Sequence, residues 1–227
     1  MKKKIFTALG LMTGTSMDGV DLSLIKSDGY AEFTQILDIY FKFDPNLQKR
    51  LLDLRNQLFT DKDLDKFSEE IDEIERDFTL FNAEIIDEVL KKHSFEVDLI
   101  GFHGQTVFHD SSKKISKQIG NGKLLSQVTK KLVVNNFRKE DLINDGQGAP
   151  LTPIFHRLLS KILNKKKKIS LPLNIINIGG ITNITQIISD NDKNDDNFNA
   201  CDIGPGNCMI DQWVRKNSTK QFDKNGE

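Results

Sequence analysis

Cysteine is scarce in these 227 residues: only Cys201 and Cys208 occur. Two thiols cannot build a disulfide framework, and a zinc site would lack its other ligands, so both read as reduced thiols that pack rather than attack. Long apolar runs are missing as well, none approaching the roughly eighteen residues of a membrane-crossing helix. "MKKKIFTALGLM" imitates a signal peptide, but Thr7 and Gly10 interrupt it and no small-residue cleavage site follows. Residues 5–12 therefore read as a buried first strand, and the protein as cytoplasmic. Neither sign of charge is in excess: Lys and Arg number 32 and Asp and Glu 33, a formal net charge of -1. Such a balance carries no global signal for nucleic acid or for an anionic membrane. The Lys165–Lys168 run reads as a solvated loop. Both familiar phosphate fingerprints are absent: there is no G-x-x-x-x-G-K-[ST], no G-x-G-x-x-G follows a strand, and "GPGN" at 204–207 is too short to be one.

What is present alternates between strands and helices. "AEFTQILDIYFKF" (31–43) has strand periodicity, and 44–92 carries apolar residues at three- and four-residue spacing, predicting amphipathic helices with solvated charged faces. "VDLIGFHGQTVFH" (97–109) is a strand running into a polar loop, and "LLSQVTKKLVVNNF" is a helix followed by a strand ending near Asn135. This alternation predicts an α/β fold with part of its sheet parallel. "SDNDKNDDNFN" (189–199) predicts an exposed loop between two strands.

"GLMTGTSMDGVDLSLI" (10–25) places two apolar strands around a tip with more hydroxyl and carboxylate than a hairpin turn requires. "LNIINIGGITNITQIIS" (173–189) repeats the plan, with Gly179, Gly180, Thr182, Asn183 and Thr185 at its tip. Glycine lets backbone N–H groups approach a ligand, Thr and Ser add neutral donors, and an Asp holds Mg²⁺ directly or through water. Two such tips, facing one another across a cleft, suit a triphosphate better than two bulged hairpins do.

"NNFRKEDLINDGQGAPLTPIFHRLL" (135–159) is the densest polar cluster, set at a strand's carboxyl end where α/β folds place ligands. Asp141 and Asp145 are its general-base candidates, with helix capping or pairing with Arg138 the structural alternative for Asp141. His103, beside Gln105 and Thr106, suits a hydroxyl-rich sugar and reads as positioning or structural rather than catalytic. His109 and His156 read as structural, and His93 lies on a surface helix.

Together these stretches, with "QIGNGKLLS" and "CDIGPGNCMID", resemble the anhydro-N-acetylmuramic acid kinase family of the sugar kinase/Hsp70/actin superfamily, in order over residues 9–226. The resemblance implies an actin/hexokinase-like (ribonuclease H-like) two-lobed α/β fold, with 1–134 the first lobe and 135–227 the start of an incomplete second. It implies a kinase that uses ATP, Mg²⁺ and water to open 1,6-anhydro-N-acetylmuramic acid and phosphorylate O6, giving N-acetylmuramic acid 6-phosphate in peptidoglycan recycling. Gly14, Thr15, Ser16, Met17, Asp18, Gly19, Val20 and Asp21, with Gly179, Gly180, Thr182 and Asn183, would hold the nucleotide, Asp18 also the metal. His103, Gln105, Thr106, Arg138, Gln147 and Gly148 would contact the sugar, and Asp141 would be the general base.

Departures from the family pattern are Asp145, where glycine is usual, and Asn121, where Asp is common. The resemblance also implies a long further stretch after Glu227 that completes the second lobe and supplies the adenine pocket. On that reading the chain is a fragment, a truncated product or half of a split enzyme, with a homodimer or a complementing C-terminal fragment as its protein partner. The alternative reading is a non-catalytic nucleotide- or muropeptide-binding fragment. A related ATPase acting on something other than sugar is a third.

Overall fold

The structure, a computed structural model, describes residues 4–189, 198–220 and 222–226. It divides into two compact units, Met1–Gly148 and Ala149–Glu227. The first is α/β, built on a five-stranded mixed sheet of order β3-β2-β1-β4-β7. Strands β1 (Phe6–Met12), β2 (Gly19–Ser27) and β3 (Phe33–Lys42) form an antiparallel meander, and β4 (Leu99–Phe102) and β7 (Leu132–Val134) extend it in parallel. The alternation read at residues 31–43 is β3, and the first apolar run is β1, whose Leu9 and Leu11 are buried. A separate hairpin joins β5 (Gln105–Asp110) to β6 (Ile115–Ile119).

Three helices follow the meander: α1 (Pro45–Arg55), α2 (Asp61–Lys66) and α3 (Ser68–His93). The Asp44 carboxylate caps α1 by accepting from the Asn46 and Leu47 amides, with Pro45 in the first turn. Helix α3 buries Ile71, Ile74, Phe78, Ile85, Ile86 and Val89, the three-and-four spacing that predicted it. Phe78 sits at the centre of the core: its ring stacks on Phe102 at 6.0 Å and tilts against Phe43 at 5.8 Å. Helix α4 (Gly122–Thr129) begins at Asn121, whose side chain accepts from the Leu124 amide at 2.9 Å. Asn and Asp cap equally well, so the departure at Asn121 falls on a helix cap.

Two features escaped the sequence reading. Residues 137–143 form a short helix, α5 (Phe137–Ile143), so Asp141 lies inside a helix and is not its cap, which is Asn136. Gln105 and Thr106 belong to a strand, which leaves His103 and Gly104 alone as the turn between β4 and β5.

The second unit has helix α6 (Pro153–Lys165), an antiparallel sheet of order β10-β9-β8, and helix α7 (Asn207–Asn217). Its strands are β8 (Leu173–Ile178), β9 (Ile181–Ile187) and β10 (Phe198–Pro205). Helix α6 rests on the sheet through His156, whose Nδ1 lies 2.8 Å from the Thr185 hydroxyl, and through Arg157 over the Phe198 ring. Burial here is thin: Ile187 and Thr185 are enclosed, while Ile176, Ile178, Ile203, Met209, Ile210 and Trp213 are exposed. Cys201 is exposed, which corrects the expectation that both thiols pack. Of the loop read at 189–199, residues 190–197 lie outside the described residues.

Because Phe78 joins α3 to Phe102 of β4 and to Phe43 just after β3, Phe78→Ala is expected to cost about 3–5 kcal/mol, seen as a lower urea midpoint. Phe78→Leu, which keeps most of the volume, should cost clearly less.

Candidate functional site

The first tip, residues 13–18, is held from below by its own carbonyls. Gln105 Nε2 donates to Gly14 O at 3.1 Å, the Met17 amide donates to the same oxygen at 3.2 Å, and Arg55 Nη1 donates to Thr15 O at 2.8 Å. The Thr13 hydroxyl donates to Gly104 O at 2.8 Å, and the Phe43 amide to Asp18 O at 3.0 Å. The left-handed residue of the tip is Met17 (φ 54), not a glycine, and its side chain is wholly buried. Met17 thus anchors the tip in the core, and Val20 is a core residue too. Thr15, Ser16 and Asp18 are exposed, with the Ser16 hydroxyl donating to the Asp18 carboxylate. Arg55 was not singled out from sequence, because a base in the last turn of an amphipathic helix has the pattern of a solvated face.

Beside this tip the sheet carries Asp21, Asp38 and Tyr40. The Asp21 carboxyl is raised above the ordinary range by burial, then by the charges of Asp18 and Asp38. Tyr40 is pushed up to about 12 by burial first and by Asp18 next. Negative potential therefore accumulates around Asp18, which suits a hard cation with oxygen donors. Among the described residues no group of three or more His, Cys, Asp or Glu is placed to hold a metal ion. A single carboxylate such as Asp18 would hold Mg²⁺ only with phosphate oxygens and water completing the shell.

The second tip, Gly179 and Gly180 between β8 and β9, is covered by the chain entering α7. The Gly206 amide donates to Gly180 O at 2.9 Å and the Asn207 amide to Gly179 O at 2.8 Å. Thr182 Oγ1 donates to Pro205 O at 3.3 Å, and Asn183 Oδ1 is buried without a hydrogen-bond partner.

Of the remaining predicted residues, Gly148, Arg138 and His103 are linked by hydrogen bonds to Asp141 in the first unit. Its Oδ2 accepts from the Gly148 amide at 2.7 Å, and its backbone oxygen accepts from the Gly146 amide at 2.8 Å. A side chain at Gly146 would run into the Asp141 carboxylate, and Gly148 sits at φ 72 against Leu142 and His109. The two glycines are thus required by the close wrap of the loop around Asp141. Arg138 Nη1 donates to Gly148 O at 2.6 Å and its Nε to His103 Nε2 at 2.8 Å. Gln147 is exposed, and Thr106 accepts from Gln118 Nε2 at 3.2 Å. Asp145, the other base candidate, turns to Lys114 Nζ at 2.5 Å with its side chain 85% exposed. It stands at φ 67, a conformation that favours glycine.

The model of the anhydro-N-acetylmuramic acid kinase family matches residues 6–227. The chain belongs to this family. Curated anhydro-N-acetylmuramic acid kinases similar to it include that of Pelagibacter ubique, 50% identical over 225 residues, 99% of this chain and 58% of the relative. That of Agrobacterium fabrum is 39% identical over 98% of this chain and 59% of its own length, and that of Rhizobium etli 37% over 97% and 58%. The chain thus spans somewhat over half the length of the anhydro-N-acetylmuramic acid kinases it matches. No helix among the described residues is long and apolar enough to cross a membrane.

Asp145→Gly is expected to change stability by less than about 1 kcal/mol, whereas Asp145→Val, β-branched at a left-handed position, should cost about 1–2 kcal/mol in urea unfolding. His103 gives a pH prediction. Burial, then the Arg138 charge, lower its pKa from 6.5 to about 4 in the fold. Between those values the unfolded chain binds more protons, so stability should be complete above pH 6.5 and fall by about 3 kcal/mol towards pH 4. His103→Gln should lack that part of the slope.

Proposed function

We propose that this chain carries the nucleotide tip and general base of an ATP-dependent kinase acting on 1,6-anhydro-N-acetylmuramic acid. The reaction would open the anhydro ring with water and phosphorylate O6, giving N-acetylmuramic acid 6-phosphate and ADP. The observation that carries the reading is the Asp141 carboxylate, held through Oδ2 by the Gly-Gln-Gly loop in a chain matched to this family over residues 6–227. Its membership brings the two-lobed actin/hexokinase-like fold as the architecture proposed here, with 1–134 as first lobe and 135–227 as the start of the second. The sheet order β3-β2-β1-β4-β7 supports the first lobe. ATP use and the free thiols fit the cytoplasm.

Asp141 Oδ1 would take a proton from water as its oxygen bonds to the anomeric carbon and the bond from that carbon to O6 breaks. O6 would then attack the γ-phosphate in line, ADP leaving, and Asp141 would return its proton to solvent. Exposed Thr15 and Ser16, the backbone of 14–21 and the second tip with Thr182 and Asn183 are the proposed phosphate contacts. Bound Mg²⁺ held at Asp18 would supply neutralisation of phosphate charge. Gln105 would fix the tip relative to the sugar, since its amide holds Gly14 O, while Thr106 and Gln147 would meet sugar hydroxyls.

The thin burial of the second unit and the 58% coverage of the Pelagibacter ubique kinase favour one second reading, a fragment that binds nucleotide or muropeptide without turnover. A homodimer or a complementing chain is then the proposed protein partner.

ADP release by the 227-residue chain, with ATP and Mg²⁺, is expected to depend on the anhydro-sugar and to fall by at least about a thousandfold in Asp141→Asn. Binding of nucleotide or muropeptide without turnover would support the fragment reading, and sugar-independent hydrolysis would contradict both.

A further inference from the structure

Two carbonyls of the first tip are held by side chains from distant elements. Gly14 O accepts from Gln105 Nε2 at 3.1 Å, and Thr15 O accepts from Arg55 Nη1 at 2.8 Å. A planar trans peptide points its N–H opposite to its C=O. Gly14 O shares a peptide with the Thr15 N–H, and Thr15 O shares one with the Ser16 N–H. Pinning the two oxygens against β5 and α1 therefore turns those two N–H groups away from these elements. Neither amide donates to a backbone oxygen among the described residues, and Thr15 and Ser16 are exposed. Successive outward N–H groups make an edge that receives an anion.

The two holders differ in kind. Gln105 is neutral, buried within β5, and also donates to Thr106 O at 3.3 Å. Arg55 is the last residue of α1, next to Leu54, whose burial with Leu51 fixes that end of the helix. Its guanidinium stays charged in a protein. A charged donor polarises the Thr15–Ser16 peptide more than a neutral one does, which makes the Ser16 N–H the stronger donor. The same stretch of chain also holds the other end of the tip. The Phe43 amide, one residue before the Asp44 cap of α1, donates to Asp18 O at 3.0 Å. Residues Phe43 to Arg55 thus clasp the tip at Asp18 and at Thr15.

We propose that Arg55 is a positioning residue for the nucleotide phosphates: through Thr15 O it orients and polarises the Ser16 N–H toward a phosphate oxygen. This rests on the reading that the tip holds ATP, so one arm of the test reads the tip alone and the other reads binding.

In the first arm, ¹H–¹⁵N NMR of the 227-residue chain follows the Ser16 amide without ligand. In Arg55→Met, which keeps the apolar stem and removes the donor, that amide should shift and exchange faster. The core amides of Leu9 and Phe78 should stay in place, the sign of an intact fold. A Ser16 amide indifferent to Arg55→Met overturns the proposal whether or not the chain binds nucleotide. In the second arm, ATP with Mg²⁺ is titrated into the same proteins. Affinity should fall at least about tenfold in Arg55→Met, and Arg55→Lys, which keeps a charged donor, should recover part of the loss. Unchanged affinity in Arg55→Met overturns the proposal. So does a loss of affinity with the Ser16 amide unmoved in the free chain, which would make Arg55 a direct phosphate contact. If the parent chain binds no ATP, the nucleotide reading fails for it and the first arm alone decides whether Arg55 sets the tip.

Discussion

The carbonyl oxygen of Gly104 takes two hydrogen bonds, one from the Thr13 hydroxyl and one from the His103 ring. His103 and Gly104 form the two-residue turn between β4 and β5. One donor is the first residue of the hydroxyl-rich tip, just after β1, and the other begins the line of contacts that ends at the Asp141 carboxylate. A buried carbonyl left without partners is costly, and one with two is hard to displace. The turn is fixed to the sheet by the parallel pairing of β4 with β1 and β7. What lies around it therefore inherits a rigid reference: Gln105 holds Gly14 O from the next residue along, and Arg138 stands on the imidazole.

Much of this was legible in the sequence, for identifiable reasons. The meander and α3 followed from periodicity, because their burial is one-sided and period and burial coincide there. Both polar tips were visible, since hydroxyls and carboxylates clustered at strand ends stand out against apolar flanks. Asp141 stood out by its place before a glycine-rich loop, and the structure wraps that loop around its carboxylate. The helical setting of Asp141 was not, because α5 buries little besides Leu142 and seven residues leave no period to detect. Nor was the role of Met17: a methionine amid polar residues looks incidental until the core is seen to enclose it.

The hydrogen-bond partners were the least legible part. Arg55 reaches Thr15 O from 40 residues away in sequence, and Arg138 reaches His103 across 35. No local pattern encodes such contacts, because they depend on how the helices pack against the sheet. Asp145 shows the reverse: as a sequence departure it suggested a changed site, yet its carboxylate turns outward to Lys114 and only its backbone serves the loop. Asn121 is similar, its amide oxygen doing a capping job indifferent to the charge an aspartate would bring.

The ion pair of Lys114 with Asp145 is exposed, whereas the bonds that set the loop's shape run from a guanidinium and backbone amides to neutral carbonyls and one carboxylate at contact distance. Mobile ions screen charges separated by more than a Debye length and weaken exposed pairs, but they hardly touch partners already in hydrogen-bond contact. Ionic strength can therefore release Lys114 from Asp145 while leaving Asp141 where it is. The charge that the surface shows to the medium is in this way separate from the geometry of the loop that wraps Asp141.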